Sequence, residues 1–196
     1  MSIDLSPPSL LAAYSHGLFP MADDEGRVAW YEANPRTILP LDESFRVPRA
    51  VARAVRQSRF EIRVDTVFRE VIEACAQPAP RRETTWISLE IIEAYCELHA
   101  WGFAHSVEAW REGKLVGGLY GVSIGGLFAG ESMFTRESNS SKVAIVHLTE
   151  RLRAGGFVLH DIQMMTPHLR PFGAIIVSRD EYLRRLAEAI SAHAEF

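Results

Sequence analysis

The sequence predicts an α+β fold, and three observations predict it. Between Ala104 and Phe134, three strand-like runs are separated by Glu112-Gly113 and Gly125-Gly126, so the chain reads as an antiparallel meander joined by tight turns. A helical run opening at Ser140 or Ser141 then stops at Gly155-Gly156, a C-cap signature. Strand-like Phe157–Met164 and Ala174–Val177 follow, with an amphipathic helix over Asp180–Ala192. A cluster of strands followed by helix, strand and helix is the order of an α+β domain rather than of regular βα alternation.

The elements upstream are shorter. Ser6 before Pro7-Pro8 reads as an N-cap with proline in the first turn, opening a helix that carries Leu10, Leu11 and Tyr14 on one side and stops near Gly17. Phe19-Pro20-Met21 is expected to be a loop, 22–27 a polar turn, and Trp30 to Leu41 extended and irregular, because Pro35 and Pro40 interrupt it. Pro48 starts a helix to about Gln57, Phe60–Val64 alternates as a strand, and Asp65-Thr66 is placed to cap a helix to Ala76. Gln77 to Thr84 is a loop containing proline and arginine. Ser88 caps a helix from Leu89 to Trp101, with Ile91, Ile92, Tyr95 and Leu98 facing one side. The division expected from this order is a small N-terminal subdomain, residues 1–58, and a main domain, 59–196.

Composition excludes several classes. The 196 residues are 47% hydrophobic and 23% charged, which suits a globular chain able to bury a full core. No apolar run approaches the ~20 residues that span a bilayer, and Met1-Ser2-Ile3-Asp4 begins no signal-peptide pattern, so a cytoplasmic protein without a membrane partner is expected. Cys75 and Cys96 fit buried thiols, a disulfide being the less favoured alternative, and two cysteines without a Cys/His cluster argue against zinc. No metal site is expected, since His99, His105 and His168 share no ligand spacing; structural hydrogen bonding is expected of His105 and His168. A net charge of −4 is not that of a protein that coats nucleic acid, so any RNA contact must be local.

Five groups of residues stand out. Asp161 and Gln163, two apart on a strand-like run, would face one side and could hold an amine, or cap the next loop. Glu131, between Gly130 and Ser132 in an apolar strand, is either buried against a cation or turned to a cleft. Leu119, Phe128, Met133, Ile145 and Leu148 are core or the wall of a pocket. Trp30 and Trp86 sit in loop-like settings as core anchors or as platforms for a base. Arg46, Arg49, Arg53 and Arg56 recur at helical spacing with no acidic residue between Glu43 and Glu61, which favours a phosphate-contacting stripe over an ordinary solvated face.

A collinear set of motifs ties these groups together. A-Y-x-x-G-L-F-P-M at 13–21 and N-P-R at 34–36 are followed by W-I at 86–87, A-Y-x-x-L-H at 94–99 and G-x-A-H-S-V-E-x-W at 102–110. Then come L-V-G-G-L-Y-G at 115–121, F-x-G-E-S-M-F at 128–134, S-K at 141–142, D-I-Q at 161–163 and H-L-x-x-F-G-A at 168–174. In this order, over about Leu5 to Leu183, the chain resembles the leucyl/phenylalanyl-tRNA–protein transferases.

The resemblance implies a main domain similar to the acyl-CoA N-acyltransferase fold beside a small N-terminal domain. It implies transfer of Leu, Phe or Met from aminoacyl-tRNA to acceptor proteins with N-terminal Arg or Lys, marking them for degradation. An aminoacyl ester is already activated, so no cofactor is expected. Acyl-CoA enzymes of this fold hold pyrophosphate on a Gly-rich turn; the equivalent Thr135–Ser140 has no glycine, which speaks for another acyl donor. By resemblance, Asp161, Gln163 and Glu131 are catalytic, and Leu119, Phe128, Met133, Ile145 and Leu148 receive the aminoacyl side chain. Trp30 and Trp86 lie at the terminal adenosine, and the arginine stripe meets the acceptor stem. Transfer to N-terminal Asp or Glu, a small-molecule N-acetyltransferase, and a tRNA-end-binding module without catalysis are the alternatives. The chain departs from the family at Trp30-Tyr31, where a Trp pair is usual, and at His160, where an apolar residue is common.

Overall fold

The structure is a computed structural model that describes residues 3–78 and 85–196; most of the expected loop at 77–84 lies outside the described residues, as do Met1 and Ser2. The elements run α1 (Pro7–Ser15), β1 (Phe19–Ala22), β2 (Val28–Tyr31), β3 (Arg36–Leu39), α2 (Arg49–Arg56), β4 (Glu61–Val64), α3 (Phe68–Ala76) and α4 (Leu89–Ala100). They continue with β5 (Ala104–Arg111), β6 (Lys114–Ile124), β7 (Leu127–Thr135), α5 (Ser140–Ala154), β8 (Leu159–Asp161), a 3₁₀ turn at Arg170–Phe172, β9 (Ile175–Val177) and α6 (Arg179–Ser191).

Seven strands form the principal sheet in the order β4-β5-β6-β7-β8-β3-β9, and β1 and β2 form a separate hairpin. The meander of β4 to β7 is antiparallel throughout. After it, α5 crosses over and returns the chain as β8, parallel to β7. Three apolar clusters cover the sheet: one gathers α1, α3 and α4, a second gathers α2 and α5, and a smaller third packs α6 against β3, β7, β8 and β9.

The N-terminal region differs from expectation. Phe19–Ala22 is a strand, paired from Phe19↔Tyr31 to Ala22↔Val28, because the 22–27 turn folds it back as a hairpin. Arg36–Leu39 is fully buried and lies between β8 and β9, hydrogen-bonded to both. A division at residue 58 would therefore place β3 in one unit and its sheet neighbours in the other. Prolines 35 and 40 flank this strand, so neither removes a ladder donor from within it.

Helix starts show which caps were legible. Ser88 Oγ accepts the Ile91 N–H at 3.3 Å, as its position predicts. Asp65 does not cap α3; its backbone is left-handed, with φ +56°, and its carboxylate accepts from Ser106 N–H at 2.7 Å. The cap comes from β5 instead: buried Glu108 accepts the Thr66 and Val67 N–H groups, each at 2.9 Å. A carboxylate at a helix N-terminus is also favoured by the helix dipole.

Candidate active site

The site follows from how β7 and β8 part. They pair only at Leu127↔Leu159, Phe128↔His160 and Ala129↔Asp161; β8 then ends while β7 continues to Thr135. One side of β7 is thus left without a neighbour from Gly130 onward. On its other side the register with β6 slips: Gly121 faces Gly130 and Tyr120 faces Ser132, so Glu131 is the extra residue of a β-bulge. A bulge re-aims the side chain it carries. Gly121 is needed there, since a Cβ would run into the Ala129 carbonyl and the Phe128 ring.

A cavity of about 170 Å³ fills the gap. Its apolar wall includes Leu119, Met133, Ile145 and Leu148, four of the five residues expected there. Phe128 is not among them. It is fully buried beneath the wall, edge-on to His160 at 5.6 Å and stacked with Phe196 at 5.4 Å, because alternation along β7 turns it into the core. The polar part of the lining is Glu131, Ser132, His160, Gln163 and Thr166.

Glu131 and Gln163 meet here. The Gln163 side-chain Nε2 donates to Glu131 Oε1 at 3.1 Å. Removal from bulk water raises the Glu131 carboxyl to about 8, opposed by hydrogen bonds from Tyr14 and Tyr95 and by Arg36, and assisted by the charge of Asp161. The cavity leaves Glu131 half-buried, so it is accessible from one side only. Tyr14 and Tyr95 hydrogen-bond each other through their hydroxyls. Burial, then the Glu131 charge, push both phenols well above their usual range, so they remain protonated donors.

Asp161 lies elsewhere. It is fully buried, and Oδ1 accepts Arg36 Nε at 2.9 Å and the Gln163 backbone N–H at 2.9 Å. Oδ2 accepts Arg36 Nη2 at 2.5 Å and the Tyr182 hydroxyl at 2.8 Å. The strand stops at Asp161, so the expected alternation through Gln163 fails. Gln163 is left-handed with φ +51°, a conformation disfavoured by roughly 1–2 kcal/mol for an L-residue, and Met164 is exposed rather than packed. Asp161 and Gln163 therefore do not present a shared face; only Gln163 reaches the cavity.

His160 is also part of the wall. It is buried, and its Nδ1 has no hydrogen-bond partner among the described residues. Burial lowers its pKa to about 4, Asp161 opposing, so the imidazole is neutral near pH 7.

The other predicted groups lie away from this cavity. Trp30 is in β2 opposite Pro20, not in a loop, and Trp86 precedes α4; both are half-buried against the α1/α3/α4 cluster. The Ala22 N–H donates to the Trp86 carbonyl at 3.0 Å, which ties the hairpin to this segment. Arg49, Arg53 and Arg56 lie on α2 and Arg46 just before it; all four are exposed, while Val51 and Ala54 form the buried face of the helix. None of the four makes an ion pair among the described residues. His105 does hydrogen-bond, to Asp65 at 2.8 Å, whereas His168 is exposed and makes no side-chain hydrogen bond among the described residues.

The Thr135–Ser140 segment is packed onto β6. The Arg136 and Glu137 N–H groups donate to the Val116 carbonyl at 2.8 and 3.2 Å, and the Ser140 N–H donates to the Glu137 carbonyl at 3.0 Å. Those donors are committed within the protein rather than turned outward as an anion cradle.

Arg36, Tyr14, Tyr95 and Tyr182 were not singled out as site residues from the sequence. The available signal was position: Arg36, Tyr14 and Tyr95 each fall inside one of the motifs, and a buried arginine needs a buried carboxylate.

Two family models match consecutive segments: Leucyl/phenylalanyl-tRNA protein transferase N-terminal domain over residues 3–34, and Leucyl/phenylalanyl-tRNA protein transferase over 38–187. A leucyl/phenylalanyl-tRNA–protein transferase of Herpetosiphon aurantiacus is 53% identical over 196 residues, all of both chains. The corresponding proteins of Rhizorhabdus wittichii and Phenylobacterium zucineum are each 53% identical, covering 97% and 95% of this chain and 77% and 85% of theirs. Among the described residues, no helix is long and apolar enough to cross a membrane, and no group of three or more His, Cys, Asp or Glu is placed to hold a metal. With both models matching in order and relatives at half identity over the whole chain, this chain belongs to the leucyl/phenylalanyl-tRNA–protein transferase family.

Proposed function

We propose that the chain moves Leu, Phe or Met from aminoacyl-tRNA to the N-terminal Arg or Lys of acceptor proteins in the cytoplasm. The observation that carries this reading is the pairing of an apolar cavity with the Glu131–Gln163 hydrogen bond on its polar side. An apolar side chain fits such a wall, and the unbranched, flexible Met133 lets one wall suit several shapes.

The chemistry places the ester carbonyl beside that polar side. The acceptor amine attacks the carbonyl carbon; the new C–N bond forms, the bond to the terminal ribose oxygen breaks, and that oxygen leaves as a hydroxyl. The amine must also lose a proton. Glu131 takes it as the neutral amine attacks and passes it to the departing ribose oxygen; burial raises this carboxyl to about 8 and makes its ionised form the stronger base. Gln163 orients the amine with its side-chain amide. Asp161 contributes from beneath the site rather than at the reacting atoms.

The bulged meander, the α5 crossover and the parting of β7 from β8 support likeness to the acyl-CoA N-acyltransferase fold. The donors committed within Thr135–Ser140 favour an acyl donor other than acyl-CoA. Trp30 and Trp86 would stack near the terminal adenosine, and Arg46, Arg49, Arg53 and Arg56 would meet phosphates of the acceptor stem. The test is transfer of labelled Leu, Phe and Met from charged tRNA to peptides differing only at residue one. Arg and Lys peptides should be labelled; labelling of Asp or Glu peptides instead would move the activity to another acceptor class.

A further inference from the structure

Resting on the assignment of Gln163 and Glu131 to the reacting amine, we propose that Arg36 and Tyr182 are positioning residues, which clamp Asp161 so that its carboxylate holds Gln163 in the conformation that meets Glu131.

The clamp begins with lone pairs. A carboxylate offers about four acceptor sites. Asp161 receives Arg36 Nε at 2.9 Å and the Gln163 N–H at 2.9 Å on one oxygen. Its other oxygen receives Arg36 Nη2 at 2.5 Å and the Tyr182 hydroxyl at 2.8 Å. Every site is occupied, and the residue has no exposed surface. No amine can reach this carboxylate without displacing one of those donors, so its effect on transfer must pass through another group.

That group is Gln163. Its peptide is held from both sides, by Asp161 at its N–H and by the Thr37 N–H, which donates to its carbonyl at 2.9 Å. Those two bonds hold the left-handed backbone at φ +51°, and from it the side chain reaches Glu131 at 3.1 Å. Arg36 is the other end of the clamp. It is buried to 1% exposure; burial disfavours its charge, but Asp161 outweighs this and keeps it ionised. Its Nη1 donates to the Gly17 carbonyl at 2.8 Å, just past α1, and its guanidinium lies 4.4 Å over the Tyr182 ring. One arginine thus joins β3, β8, α6 and the chain following α1, the helix that carries Tyr14.

The experiment uses the full chain with charged tRNA and an acceptor peptide, reading kcat and KM on the folded fraction. Arg36→Met leaves an unpaired buried carboxylate and should lower kcat by about a hundredfold, with KM for tRNA within about threefold. Adding Asp161→Asn removes that charge while its side-chain carbonyl can still accept the Gln163 N–H; the double variant should regain about tenfold in kcat over Arg36→Met. A base role for Asp161 predicts no regain, and that result would overturn the proposal. Tyr182→Phe is the gentler variant should Arg36→Met not fold: it should lower kcat roughly fivefold at unchanged KM. It should also speed hydrogen exchange of the Gln163 amide about tenfold, a readout that needs no transfer. Unchanged exchange in Tyr182→Phe overturns the clamp even if the enzyme were inactive on tRNA; an inactive wild type overturns the transferase reading instead.

Discussion

Gln163 donates its side-chain amide to the Glu131 carboxyl at 3.1 Å, joining the end of β8 to the bulge of β7 across the gap where the two strands part. The surroundings of that bond determine how the protein should respond to pH and to substitution at the cavity.

Glu131→Gln should change the pH dependence of transfer. A productive complex needs a neutral amine and an ionised Glu131, so log kcat of the wild type should rise with a slope near two below about pH 7.5, and that of Glu131→Gln with a slope near one at a lower rate. A single common slope would remove Glu131 from proton transfer.

Stability should report the same group. Its folded pKa is raised from 4.5 to about 8, so between those values the folded state keeps a proton that the unfolded chain releases. Stability from this group is therefore lost as pH rises from about 4.5 to 8. Solvent entering by the cavity reduces the effect, and urea unfolding should show the wild type losing ~1–3 kcal/mol relative to Glu131→Gln across that window.

Phe128 and Leu148 should separate packing from selectivity. Phe128→Ala empties a core position and should cost about 3–5 kcal/mol in unfolding experiments while leaving the Leu-to-Phe transfer ratio unchanged. Leu148→Phe narrows the cavity and should lower use of Phe-tRNA more than Leu-tRNA. A shifted donor ratio in Phe128→Ala would put Phe128 back in the pocket.

His160→Leu removes the unpartnered buried nitrogen and should stabilise the protein by about 1 kcal/mol at pH 7. The wild type has a second liability: its folded pKa of about 4 lies below the unfolded 6.5, so stability is lost as pH falls through that interval. Acid unfolding of His160→Leu should begin at lower pH. An unchanged acid midpoint would show that His160 is not the buried neutral group described here.

Reversing Arg49 and Arg53 to Glu should weaken use of full-length tRNA and flatten its salt dependence, the slope falling by about 0.7–0.9 for each phosphate no longer neutralised. An aminoacyl-adenosine donor, which has no acceptor stem, should be spared. Equal loss with both donors would make the arginine-bearing face structural.

The meander, α5 and its glycine stop, α6 and the Ser88 cap were legible because each is local: alternation, turn pairs and cap residues act within a few positions. Of the five residues that the motifs point to for the wall, four line the cavity, as does Glu131. What was hidden is long-range. Nothing in Arg36–Leu39 announces that it will insert between β8 and β9, since a four-residue strand flanked by prolines reads as irregular until its neighbours exist. The cap of α3 comes from Glu108, more than 40 residues away. The Asp-x-Gln spacing misled for a related reason: alternation holds only while a strand continues, and β8 ends at Asp161.

The most direct measurement is single-turnover transfer of labelled Phe from charged tRNA to an Arg-initiated peptide, with wild type beside Glu131→Gln and Gln163→Ala, in buffer free of ATP and acetyl-CoA. The wild type should label the peptide, and both variants should transfer at rates at least about tenfold lower with tRNA binding preserved. A wild type that labels only when acetyl-CoA is added, or variants that transfer at the wild-type rate, would overturn the assignment of Glu131 and Gln163 to aminoacyl transfer.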